Sequence, residues 1–195
     1  MLIIDKTDAI QGGVYIILDI VNWVVYIGET DNLKRRADNH RRDLNRNDGT
    51  ANKMLQDSFN IGNGLLWMVI FYGNKSKKRD NILVTFDKFQ YRKIESFYIA
   101  LLKNQGFKVF NEKQKESIIN DFNKSDEDIQ YLLDESVNAL NDDFYNRFGY
   151  TIVDIRNKNR DEKDAIWRHF VEKVYLDIAN NDKTKYTVLK NENGI

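Results

Sequence analysis

The chain has 195 residues, 30 Lys and Arg against 30 Asp and Glu, and 42% hydrophobic residues, a globular balance that supports a buried core. It contains no cysteine, which excludes a disulfide framework, a cysteine-ligated zinc site and a thiol nucleophile. No apolar stretch is long enough to span a bilayer and residues 1–5 are too short for a secretory signal, so a cytoplasmic protein with no membrane partner is expected.

Residues 1–11 show no clear period. From Gly13, Val14, Ile16, Leu18 and Ile20 make a run rich in β-branched residues, and Val24 to Ile27 make a second of β-branched and aromatic residues; both predict strands. The stretch from Asp19 to Trp23 is short enough for a hairpin connection, and Gly28 reads as the end of the second strand. Asp31 to Leu44 then predicts a helix capped by Asp31, with Leu33, Ala37, His40 and Leu44 near one face. Arg36 and His40 stand four apart on it and project side by side. Arg35, Arg42 and Arg46 fall on another face, where they could track phosphates or simply be solvated.

Asn47 to Thr50 breaks this helix, and residues 51–60 predict a short one anchored by Met54, Leu55 and Phe59. Gly62-Asn-Gly reads as a turn, and the apolar run Leu65 to Tyr72 as a buried third strand. Lys75, Lys77 and Lys78 lie in a turn-rich stretch that is either a DNA-contacting loop or a merely soluble one. Phe86 to Asn104 predicts the main helix, with Ile94, Phe97, Tyr98, Leu101 and Leu102 as its stripe, Glu95 beside that stripe, and Gly106 as a stop. A short extended segment, Phe107 to Phe110, leads to Asn111.

The balance of charge changes sign near residue 115. Residues 1–115 hold 19 Lys and Arg against 13 Asp and Glu; residues 116–195 hold 11 against 17. A basic front and an acidic back is the asymmetry expected if only the front faces a polyanion. In the back, Ser125 predicts the cap of a helix with Ile129, Leu132, Leu133, Val137 and Leu140 inward. Tyr150 to Ile155 reads as a strand, Asp161 to Asn180 as an amphipathic helix, and Tyr186 to Leu189 as a last strand. The apolar stripe of Trp167, Phe170 and Tyr175 reads as the core of this region or as a dimer surface.

The tripeptides Gly13-Val14-Tyr15 and Tyr26-Ile27-Gly28, followed by Arg36, His40, Glu95 and Asn111 in that order, resemble the GIY-YIG nuclease superfamily, with valine for isoleucine in the first motif. The resemblance covers about the first 115 residues. It implies an α/β (α+β) core, a three-stranded antiparallel sheet flanked by helices. Residues 1–115 would form the nuclease core and 116–195 an acidic, mostly helical accessory region. It also implies a metal-dependent endonuclease acting on DNA, double-stranded DNA first.

In-line hydrolysis of a phosphodiester needs a cation at the leaving 3′ oxygen, a donor for the phosphoryl oxygens, and a group that deprotonates or orients water. The resemblance points to Glu95 as the ligand of Mg²⁺ (or Mn²⁺) and to Arg36 as the phosphate clamp. Tyr15 and Tyr26 would flank the attack site, and one of them could accept the water's proton. His40 is the competing base or orients a tyrosine, and Asn111 positions one of these groups. Taken singly, each has a plain structural use: strand tyrosines in a core, an arginine and a glutamate on helix surfaces, an asparagine at a turn.

Without cysteines or large further domains, and with an acidic tail, the compact restriction or defence nucleases are the nearest members. A restriction enzyme cutting both strands would most simply be a homodimer. The competing classes are a catalytically silent nucleic-acid-binding module and a nuclease regulated by a protein partner through its acidic region.

Overall fold

The computed structural model describes residues 1–5, 11–49, 51–61, 64–73, 88–110, 127–181 and 184–190. Among the described residues six strands form one mixed sheet: β1 (Leu2–Asp5), β2 (Gly13–Asp19), β3 (Val24–Thr30), β4 (Leu65–Tyr72), β5 (Lys108–Val109) and β6 (Tyr186–Leu189), in the order β5-β3-β2-β4-β1-β6. The expected three-stranded antiparallel core is its centre, β3-β2-β4. It is extended at both edges. β5 joins β3 in parallel, β1 joins β4 in parallel, and β6 runs antiparallel to β1. The segment without period, residues 1–11, thus contains a strand: Leu2, Ile3 and Ile4 are buried on both faces, so no alternation marks them.

Two layers of helices cover the sheet. On one face lie α1 (Leu33–Arg46) and α2 (Lys53–Asn60), packed on Tyr15, Ile17, Leu65 and Trp67. On the other lie α3 (Lys88–Asn104), α4 (Glu127–Phe148), α5 (Ile152–Arg156) and α6 (Arg160–Asn180), packed on Val14, Ile16, Val25, Ile27, Leu66 and Met68. Strand alternation sorts the two sets, because successive side chains of β2 point to opposite faces.

Several expectations are corrected in detail. β3 continues past Gly28 to Thr30. The cap of α1 is Asn32, whose side chain accepts from Arg35 N at 2.8 Å, while Asp31 pairs with the Arg35 guanidinium. Met54 is 37% exposed, and Leu55 and Phe59 alone of the proposed anchors are buried. The stretch read as a strand, Tyr150 to Ile155, is the helix α5, started by a capping box between Thr151 and Asp154. The dimer-surface option for the α6 stripe also gives way. Trp167 and Phe170 are buried in the core, and Tyr175 alone of the three is exposed. Ser125 and Gly62-Asn63 lie outside the described residues, as do the side chains of Ile129, Leu132 and Leu133. Among the described residues no helix is long and apolar enough to cross a membrane.

The accessory region is tied to the sheet by polar as well as apolar contacts. Arg147 of α4 is buried and pairs with Asp5 at the end of β1 and with Asp143, and it donates to the Tyr186 hydroxyl of β6 at 3.2 Å. Trp167 of α6 lies so close to Gly64, just before β4, that a Cβ there would come within 1.8 Å of the indole.

Candidate active site

The site is built where the hairpin meets α1. Tyr15 sits in β2 opposite Gly28 in β3. The glycine is needed there: a Cβ on residue 28 would lie 2.4 Å from the Tyr15 hydroxyl. Tyr26 precedes Gly28 by two and so shares its face, half-buried, with its ring 6.2 Å from that of Tyr15. α1 starts directly after β3 and crosses this face. Its apolar stripe, Leu33, Ala37 and Leu44, seats it on the sheet, and the same register carries Arg36 and His40 over Tyr15.

The contacts are specific. Arg36 Nε donates to Tyr15 Oη at 2.8 Å, and Tyr15 Oη lies 2.8 Å from His40 Nε2. Guanidinium nitrogens only donate, so the phenol accepts from Arg36 and its own proton is free to go to His40. That requires an unprotonated Nε2, which the electrostatics supply. Burial and the charge of Arg36 push His40 down to about 3. Burial and then Tyr26 push the Tyr15 phenol well above the usual tyrosine range, with Arg36 acting in the opposite sense. Burial works against the charge of Arg36, but Tyr15 and then Tyr26 outweigh it and raise its pKa further. The result is a fully buried neutral phenol between a neutral imidazole and a permanent cation that is itself only partly buried.

Glu95 is elsewhere. It lies on α3, 5% exposed, among Tyr91, Ile94, Tyr98 and Ile99, which pack on the face of the sheet opposite Tyr15. One turn earlier, Arg92 pairs with Glu29 of β3 at 3.5 Å. Glu95 therefore stands near the outer edge of β3. β5 pairs only with Val24 and Val25, so Tyr26 to Thr30 have no strand on their outer side among the described residues. Phe110 N donates to Val25 O at 2.9 Å, which brings the chain to this edge; Asn111 itself lies outside the described residues, as do Lys75, Lys77 and Lys78. No group of three or more His, Cys, Asp or Glu among the described residues could hold a metal ion.

Arg35, Arg42 and Arg46 are exposed on the outer side of α1, where Arg42 also bonds to Asn39. An open groove of about 430 Å³ runs over this surface, lined by Asn32, Lys34, Arg35, Asp38, Arg41 and Arg42. Lys34 and Arg41 were not singled out by the sequence, although their spacing of seven on α1 places them on this outer face. Trp67 was missed altogether: it reads only as one of eight apolar residues, yet its ring stacks on Tyr15 at 5.5 Å.

A family model described as the GIY-YIG catalytic domain matches residues 11–108, half of the chain, and spans the hairpin, α1 and α3. No curated protein and no solved structure matches the chain.

Proposed function

The chain belongs to the GIY-YIG nuclease superfamily, and on that premise we propose that it is a metal-dependent endonuclease that hydrolyses DNA phosphodiester bonds, with a restriction or defence role. The observation that carries the catalytic reading is the Arg36–Tyr15–His40 chain. A tyrosine that served only as core filler would not need a buried cation-donated hydrogen bond on one side and an unprotonated imidazole on the other.

In this reading Arg36 commits Nε to Tyr15 and offers its remaining N–H groups to the phosphoryl oxygens. Water attacks phosphorus in line with the 3′ oxygen, and the P–O3′ bond breaks. The water's proton passes to Tyr15 Oη as the phenolic proton moves to His40 Nε2. In the free protein Arg36 opposes that transfer, since its charge helps hold His40 low. A phosphate anion bound at Arg36 offsets that charge, so the relay gains basicity when substrate arrives. Tyr26, half-buried beside Tyr15, is the competing acceptor, and Asn111 would orient one of these groups.

Glu95 would hold Mg²⁺ or Mn²⁺. The donor chemistry fits: a single hard carboxylate oxygen suits an ion that keeps most of its waters and takes the rest from phosphate. The cation, when bound, supplies positive charge for the leaving oxygen. Arg36 and Glu95 approach β3 from opposite faces, so the substrate phosphate would lie across the β3 edge at Tyr26 to Thr30, which carries no strand among the described residues. Arg35, Arg42 and Arg46, with Lys34 and Arg41, would track the flanking phosphates.

The test is cleavage of supercoiled plasmid, a single-stranded circle and a structured RNA in Mg²⁺, Mn²⁺ and EDTA, with Glu95→Ala alongside. Metal-dependent cleavage by the wild type and none by the variant, with DNA affinity largely kept, is expected. Equal cleavage by E95A would sink the metal assignment. DNA binding without cleavage of any substrate would make the silent binding module the better reading.

A further inference from the structure

We propose that Trp67 is a positioning residue for this site: its indole holds the Tyr15 ring so that one phenolic oxygen meets Arg36 and His40 at once. The placement begins with an irregularity in β4. Val14 pairs with Phe71, but Tyr15 pairs with Val69, so Ile70 is an extra residue in the ladder. A bulge of this kind resets which side chains share a face. Phe71 and Ile70 both belong to the core on the α3 side, whereas Val69 and Trp67 come round to the face of Tyr15. Trp67 pairs with Ile17, two residues along β2, which is the diagonal cross-strand position that large rings reach.

The contact is face to face. The rings of Trp67 and Tyr15 lie 5.5 Å apart at 25°. His40 meets Tyr15 edge-on at 62° and Tyr26 is tilted at 34° and 6.2 Å. Gly28 has no Cβ, and the end of the Tyr15 phenol fills the space one would take. Trp67 thus backs the flat side of the phenol while α1 approaches its oxygen.

A second observation says what the indole is for. Trp67 is completely buried, and its Nε1 has no hydrogen-bond partner among the described residues. A buried N–H left without a partner keeps the cost of its lost hydration. A position that needed only apolar bulk would be filled at less cost by leucine or methionine. What the site uses is the broad aromatic face. Two hydrogen bonds at 2.8 Å to one oxygen demand a ring held within about 0.5 Å, and that face restrains it.

This rests on the proposed role of Tyr15 and His40, so the test has one arm that needs no cleavage. The chain has two histidines, His40 and the exposed His169, so the imidazole NMR signals are readily told apart. Trp67→Phe keeps a face against Tyr15 and Trp67→Leu removes it. In W67F we expect the His40 Nε2 shift of a hydrogen-bonded acceptor and its insensitivity to pH above 5 to persist, with single-turnover cleavage within about threefold of wild type. In W67L we expect the His40 signal to titrate closer to its ordinary range and the single-turnover rate to fall on the order of 10–100-fold at unchanged DNA affinity. If W67L lacks a cooperative melt, Trp67→Met takes its place. An unaltered His40 signal in the variant without a face, or equal loss in W67F and W67L, overturns the proposal. Absence of cleavage by the wild type would remove the nuclease reading while the His40 signal still decides the positioning.

Discussion

His40 projects from the buried face of α1 beside a permanent cation, and both burial and that cation disfavour its protonation. The unfolded chain takes up this proton below about pH 6.5, while the folded protein resists until about 3. The contribution to stability is therefore complete above pH 6.5 and is lost as the pH falls towards 3. Between pH 7 and pH 5 the loss from this one group is about 2 kcal/mol. His40→Gln keeps an acceptor for Tyr15 but cannot titrate. Urea unfolding of both proteins at the two pH values should show the wild type losing about 2 kcal/mol more than H40Q, the carboxylates common to both cancelling. An equal loss would place the imidazole in contact with solvent. The Arg36 and His40 pairing was legible in sequence because a helix puts i and i+4 side by side, and the glycine facing Tyr15 was legible as a motif. Trp67 was not, because in a run of eight apolar residues nothing marks the one-residue slip at Ile70 that decides which face each takes.

Among the elements, α1 carries three functions on three faces. Leu33, Ala37 and Leu44 seat it, Arg36 and His40 serve the phenol, and Arg35 and Arg42 face outward. The outward arginines are already held, Arg35 by Asp31 and Arg42 by Asn39, but at exposed positions such pairs are weak and a phosphate can displace them. Every phosphate that an arginine no longer neutralises should make the slope of log affinity against log salt shallower by about 0.9. For Arg35→Ala with Arg42→Ala, a slope shallower by about 2 is expected, with single-turnover cleavage at saturating enzyme unchanged. An unaltered slope in a filter-binding or anisotropy titration would make this face merely solvated. Helices were the more legible elements, since their stripes survive local detail. α5 was misread because Tyr150, Thr151, Ile152 and Val153 favour strands, and the tertiary contacts of Ile152 and Ile155 with the start given by the Thr151 capping box override that preference. β1, which lies between β4 and β6, is too short and too fully buried for any period to show, whereas the extended reading of Phe107 to Phe110 contains β5.

At the scale of the molecule, the change of charge at residue 115 suggested a core with an appendage. The described part of the back region is close to balanced, with 10 acidic and 9 basic residues between 134 and 190 excluding 182–183; most of the acidic excess falls in residues 116–133. The contacts themselves tie the two parts together. β6 supplies the outer partner of β1, Arg147 clamps Asp5, Trp167 covers the backbone at Gly64, and Phe144, Phe148, Ile166 and Val174 share one core with Ile3, Leu66 and Met68. Among the described residues, a fragment ending at residue 115 would keep only α3 on that face of the sheet, and it would lose β6 from the side of β1. An exposed apolar face of that extent favours association over folding. We therefore expect residues 1–115, expressed alone, to show no cooperative transition in urea or heat, while the full chain unfolds in a single step. A cooperative transition in the fragment, with a denaturant slope scaled to its length, would make 115 a true domain boundary. The accessory helices would then be a separable cover, free to be exchanged for a partner protein. A fragment that regains the transition when residues 116–195 are added in trans would show that the sheet and its α4–α6 layer are one folding unit divided only in sequence, with the Tyr15 site on one face depending on packing supplied to the other.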